Sequence, residues 1–156
     1  VVPDMMCFGK KTQVCGFCST DRIDEVEDNV FSTSGRINST WGGNIVDMVR
    51  SKYIIEIIQE ENLIEQAAQV GGHFINALSN IKGLQNIRGR GLMIAFDMET
   101  PELRDKLKSI IQNKMLVLTC GTKSIRLRPT LTFDKCDADR ACEIIEDALF
   151  KLEQEM

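Results

Sequence analysis

Apolar residues recur every three or four positions through Leu63, Ala67, Val70, Phe74, Ala77, Leu78 and Ile81, the stripe of one helix face. The helical pattern starts near Ile45, breaks near Glu61 and Asn62, and meets a stop signal at Gly83. A second stripe, Leu103, Leu107, Ile110 and Ile111, predicts a helix from Glu102 to Asn113. A third, Ala141, Cys142, Ile145, Ala148, Leu149 and Leu152, predicts a closing helix from about Ala138. Between them, residues 87–98, 115–119 and, after a turn at Gly121, 124–133 read as strands. The order from Ile87, strand, helix, strand, strand, helix, predicts a small α+β layer with helices against one sheet.

The first forty residues follow another pattern. Residues 2–8 and 12–18 read as short buried strands flanking Gly9-Lys10-Lys11, residues 20–31 have no clear period, and residues 34–44 (SGRINSTWGGN) form a glycine- and asparagine-rich loop. Two strands and a turn are not stable alone, so they are expected to join a sheet whose other strands lie outside this chain. The opening Val1-Val2-Pro3-Asp4 carries no initiator Met and no signal-peptide pattern. The chain is accordingly expected to start inside a fold, as the C-terminal portion of something longer.

A content of 43% hydrophobic and 27% charged residues fits a globular core. The net charge of -4, with Lys and Arg scattered, lacks the footprint of a nucleic-acid binder. No apolar run approaches the roughly 20 residues that cross a bilayer, so no membrane partner is expected. The six cysteines lie mostly in apolar patterns and indicate a reduced, cytoplasmic protein.

Two chemistries compete in MMCFGKKTQVCGFC, residues 5–18. A redox Cys-x-x-Cys normally opens a helix, where amide groups and the dipole favour the thiolate. Cys15 and Cys18 lie in a strand-like run with no helix start after them. Zinc would need a second pair or nearby histidines, and the only histidine, His73, lies in a helix and is assigned no role. No metal is expected, and the cysteines are read as dispensable. Lysine at the end of an apolar strand can become a nucleophile, because apolar surroundings disfavour its charged form. A GKK turn by itself is weak evidence, since most such lysines are solvated.

The motifs around it make the pattern specific. PDMMCFGK resembles the lysine segment of the class III, ornithine- and GABA-type, pyridoxal-phosphate aminotransferases. NSTWGGN resembles their Ser-Thr-aromatic-Gly-Gly-Asn loop, IRGRGLM their C-terminal-domain glycine motif, and SIRLRPTLTF their carboxylate-binding arginine strand. FGKKTQVCG and INSTWGGN are more similar to the lysine-acting members than to those acting on 4-aminobutyrate. The resemblance implies an α/β, fold type I transferase. In that fold residues 1–44 end the large cofactor-binding domain, 45–82 are an interdomain helical region, and 83–156 are a small α+β domain.

It also implies pyridoxal 5'-phosphate as cofactor, a homodimer, and transfer of an ω-amino group, lysine's ε-amino group first, to 2-oxoglutarate. Donors such as 4-aminobutyrate are the alternative, as is a non-catalytic α+β interaction module. Lys10 is implied as the catalytic and cofactor-binding Schiff-base lysine. Lys11 competes with it, and strand alternation would allow only one of the two into the site. Thr40 and Ser39 match cofactor-phosphate positions, Thr40 reaching into the neighbouring subunit, with a helix-capping loop as the plainer reading. Asn38 borders the site and is placed with the substrate. Arg126 matches the arginine that grips the substrate carboxylate, a task suited to a planar fork of donors. Arg128, two residues on, is its alternative, and Arg88 and Arg90 are read as turn and packing residues around Gly89 and Gly91. The family's phosphate loop, ring-stacking aromatic and acidic pyridine partner have no counterpart in these residues, so the chain alone is expected to be inactive.

Overall fold

The computed structural model describes residues 2–37, 40 and 42–154. The chain forms two compact units, Val1–Glu61 and Asn62–Met156. The predicted helical stretch is divided between them, with its break at the expected place.

In the first unit β1 (Met5–Phe8) pairs antiparallel with β2 (Gly16–Ser19), and a 3-10 turn, Lys10–Thr12, lies between them. Apolarity predicted burial here, but Met5, Met6 and Phe8 are exposed. A two-stranded ribbon has no second layer to bury them. Phe17 packs on Phe31 with ring centroids 5.0 Å apart, and a short 3-10 segment, Asp21–Glu25, occupies the stretch without a period. The unit closes with α1 (Ile45–Glu60), capped by Asn44, whose Oδ1 accepts from the Val46 amide at 3.0 Å.

The second unit is a four-stranded antiparallel sheet, order β3-β4-β6-β5, with α2 (Leu63–Ser79), α3 (Pro101–Ile111) and α4 (Lys135–Gln154) on one face. The predicted strand over 87–98 is in fact a hairpin of β3 (Gln85–Arg90) and β4 (Met93–Asp97). Gly91, at φ 54°, makes the turn that a continuous strand would not allow. The strand expected at 115–119 shifts to β5 (Leu118–Cys120), and the one expected over 124–133 stops early, as β6 (Ser124–Leu127). Pro129 lacks an amide donor and constrains Arg128, so the ladder ends there.

Helix α3 starts one residue earlier than predicted, at Pro101, because Thr100 Oγ1 accepts from the Leu103 amide. Helix α4 starts three residues earlier, at Lys135. There Asp134 and Asp137 exchange side-chain to amide hydrogen bonds of 2.8 and 3.3 Å, satisfying helix-start donors. Phe74, Leu78, Leu107, Ile111 and Ile145 from the helices meet Ile94, Phe96 and Ile125 from the strands in a fully buried core. By the alternation of β4 and β6, Ala95, Asp97, Ser124 and Arg126 face away from the three helices.

Candidate active site

Lys10 is exposed and begins the 3-10 turn. Both lysines of the pair lie in that turn, so the strand-alternation argument for choosing between them does not apply. What separates them is the backbone. Lys10 has φ 58°, a left-handed conformation that an L-residue adopts at a cost of about 1 kcal/mol or more. The turn is held by the Gln13 amide donating to the Lys10 carbonyl at 3.0 Å. Just before it, an added Cβ on Gly9 would stand 3.1 Å from Cys15 Sγ. The thiol thus packs against the backbone that leads into the lysine.

Cys15 and Cys18 are exposed free thiols, not the buried ones expected, because β2 has no covering layer. Cys142 is the buried one, and desolvation pushes its thiol up to about 11, which keeps it protonated. His73, which carried no predicted role, bonds Asp139 at 2.6 Å and so links α2 to α4.

Thr40 is exposed in a turn ahead of α1, whose cap is Asn44, so the capping function read as an alternative for Thr40 belongs to another residue. Asn38 and Ser39 lie outside the described residues. Gly42 and Gly43 line a cavity of about 170 Å³ with Gln13, Cys15 and Met48, which places the two motif loops of the first unit side by side.

Arg126 belongs to the second unit, in β6, paired with Ala95 on one side and Leu118 on the other. Its Nε is buried without a hydrogen-bond partner. A buried donor left unsatisfied costs about 1–3 kcal/mol, so the Nε position favours an acceptor. Arg128 is exposed beyond the end of β6, so alternation no longer places it on the face of Arg126.

Beside Arg126 is a network the sequence did not reveal. Asp97 accepts from Ser124 Oγ at 2.5 Å, Arg88 Nη1 at 2.8 Å and Asn86 Nδ2 at 2.9 Å, and Arg88 Nη2 donates to Ser124 Oγ at 3.0 Å. Recognising a turn at Gly91-Leu92 would have brought Arg88 across from Ala95, two residues before Asp97. The Ser124 hydroxyl, then the Asn86 amide and the Arg88 guanidinium, hold the Asp97 carboxyl at about 2, below its ordinary 3.8. The folded value is the lower one, so the stabilisation is complete above pH 4 and is lost as pH falls toward 2. It should amount to roughly 2 kcal/mol. Acid unfolding of wild type and Asp97→Asn should therefore differ in slope over that range and nowhere above it. Equal slopes would show that the network does not hold the charged form.

The profile of the family described as Aminotransferase class-III matches residues 1–149. The chain belongs to the class-III aminotransferases. An L-lysine-epsilon aminotransferase of Mycobacterium bovis is 43% identical over 155 residues, which are 96% of this chain and 34% of that protein. A 4-aminobutyrate aminotransferase of Kluyveromyces lactis is 33% identical over 157 residues, 96% of this chain and 32% of its own. The solved lysine aminotransferase of M. tuberculosis superposes with a TM-score of 0.89 at 42% identity, covering 97% of this chain and 36% of that one. The chain thus spans about a third of the length of these class-III relatives. The superposition makes its architecture that of the C-terminal part of an α/β, fold type I aminotransferase.

Proposed function

We propose that this chain is the C-terminal part of an aminotransferase that moves the ε-amino group of lysine to 2-oxoglutarate with pyridoxal 5'-phosphate, giving 2-aminoadipate 6-semialdehyde and glutamate. What carries the reading is Lys10, the amine marked by the family motif, held exposed on a left-handed residue at the end of β1. The donor set fits the cofactor: a primary amine suits its aldehyde, and the Thr40 hydroxyl suits its phosphate. When bound, pyridoxal phosphate draws electrons from the carbon that carries the amino group and so makes its proton removable.

Lys10 would hold the cofactor covalently. Its Nζ would also be the base that takes that proton and returns it to the substrate. Arg126 would receive the α-carboxylate of 2-oxoglutarate, which satisfies its orphaned Nε and fixes the carbon that accepts the amino group; the α-carboxylate of lysine lies at the end away from its reacting ε-amino group. Ser39 and Asn38 keep their sequence-based assignments beside the cofactor and substrate.

The remaining cofactor contacts, a phosphate loop, a ring-stacking aromatic and an acidic pyridine partner, are assigned to the part of a full-length enzyme that this chain does not span. Residues 1–44 would close its cofactor-binding domain, residues 45–82 would join the domains, and residues 83–156 would form its small domain. A homodimer is supported by α1, where Ile45, Val46, Met48, Val49, Tyr53 and Ile57 are exposed, a surface suited to a second copy. Among the described residues no helix is long and apolar enough to cross a membrane, and a cytoplasmic location is part of the proposal.

Lysine is preferred over 4-aminobutyrate as donor because the lysine-acting relative is 43% identical and the 4-aminobutyrate-acting one 33%. In the full-length enzyme, kcat/KM for lysine should exceed that for 4-aminobutyrate by about tenfold or more. The reverse order would overturn the donor assignment, and no turnover with either would overturn the enzyme reading.

A further inference from the structure

One row of the sheet runs across three strands from Arg88 through Ala95 to Arg126, and Asp97 and Ser124 are paired in the next row. Asp97 is therefore the diagonal neighbour of Arg126 between β4 and β6, about 7–8 Å away at the backbone and within reach of a long side chain. With only 8% of its surface exposed, this carboxylate would be a strong partner for a guanidinium whose Nε is buried and unpaired. It is engaged elsewhere. Arg88, Ser124 and Asn86 take both of its oxygens, and among the described residues no carboxylate pairs with Arg126.

Building on the reading of Arg126 as the substrate-carboxylate arginine, we propose that Arg88 is a positioning residue that keeps Asp97 away from it. Arg88 neutralises the carboxylate and turns it toward β3, so the guanidinium of Arg126 stays available to the substrate. A carboxylate fixed on the same sheet face has the advantage of effective concentration over any substrate in solution. Without the Arg88 cation, Asp97 keeps its hydrogen bonds from Ser124 and Asn86 but becomes an un-neutralised buried anion one diagonal step from Arg126, and pairing relieves both. Ala95, between the two arginines, is too small to separate them by bulk.

The plainer role for Arg88 is to pin the bulged β3 onto β4. The two roles differ in what removing Asp97 should do. If Arg88 only pins the hairpin, taking away the carboxylate as well cannot repair the damage. If Arg88 restrains a competitor, neutralising that competitor restores binding.

The test is steady-state kinetics of the full-length enzyme with lysine and 2-oxoglutarate, on variants whose folding is checked by thermal unfolding. Arg88→Gln and Arg88→Met should each raise KM for 2-oxoglutarate, whose α-carboxylate adjoins the reacting carbon, about tenfold while kcat changes less than about twofold. Adding Asp97→Asn to either should return KM to within about threefold of wild type. Should Arg88→Met not fold, Arg88→Gln, which keeps donors for Asp97 and Ser124, decides. A folded Arg88 variant with wild-type KM, or a double variant as impaired as the single one, overturns the proposal. Arg126→Ala run alongside separates the two levels. A raised KM in Arg126→Ala beside an unchanged Arg88→Gln sinks the restraining role alone, whereas an unchanged KM in Arg126→Ala sinks the carboxylate reading and this inference with it.

Discussion

Lys10→Ala in the full-length enzyme should lose transamination by about 10⁴-fold or more while folding as the wild type does. The loss is large because one amine is assigned two tasks, the covalent hold on the cofactor and the proton transfer, and no neighbouring group can take over both. Folding should be spared because Lys10 is exposed and leaves no buried partner behind. Alanine meets the same left-handed φ of 58° as lysine does, so the strain in the turn is unchanged. Lys11→Ala is the control, and it should keep most of the turnover. Borohydride reduction of the wild type followed by peptide mapping should find the pyridoxyl label on Lys10. A label on Lys11, or an active Lys10→Ala enzyme, would reverse the assignment.

Two adjacent glycines of α2 should respond to the same substitution with opposite signs. A Cβ on Gly71 would lie 2.1 Å from the carbonyl oxygen and 2.9 Å from the Cα of Gly91, so the helix rests directly on the backbone of the β3–β4 turn. Backbone cannot rotate out of the way as a side chain can. Gly71→Ala must push α2 off the sheet, opening the contacts of Val70 and Phe74 behind it, and should cost about 3 kcal/mol. A Cβ on Gly72 meets nothing within 4 Å. Gly72→Ala only removes the helix penalty of glycine and should stabilise by about 0.5–1 kcal/mol. Urea unfolding of both variants checks the pair, and a neutral Gly71→Ala would mean that α2 can shift freely on the hairpin.

This contact also gives IRGRGLM a physical content beyond its resemblance to a family motif. Gly89 has no room for a Cβ, which would fall 2.5 Å from the Met93 carbonyl oxygen, and Gly91 turns the chain under α2. The glycines let the helix and the hairpin approach closely, and the hairpin carries Arg88 and Asp97 onto the face of Arg126. Packing and the candidate site therefore share one short segment.

Helices α2, α3 and α4 were legible in the sequence because each buries a single stripe, and a period of three to four residues survives in any context. Leu63 through Ile81 and Ala141 through Leu152 could be read directly, as could the break at Glu61 and Asn62. Lys10, Thr40 and Arg126 were singled out through spacing within motifs, and their chemical roles stand as proposed. The strands were read less well, since short apolar runs do not show where a chain turns. One run over 87–98 proved to be two strands, and another lost its second half to Pro129. Apolarity also failed to report exposure in β1 and β2, because burial depends on what lies opposite, which no local pattern encodes.

What only the tertiary structure decided is the company each charged residue keeps. Arg88, Asp97 and Ser124 meet across three strands, and their separations of 9 and 36 residues from Arg88 follow from sheet register alone. That register leaves both oxygens of Asp97 engaged and the Nε of Arg126 without a hydrogen-bond partner among the described residues. Composition and periodicity place an arginine on a strand, but whether it is neutralised or left to bind depends on distances of a few ångströms between strands far apart in sequence.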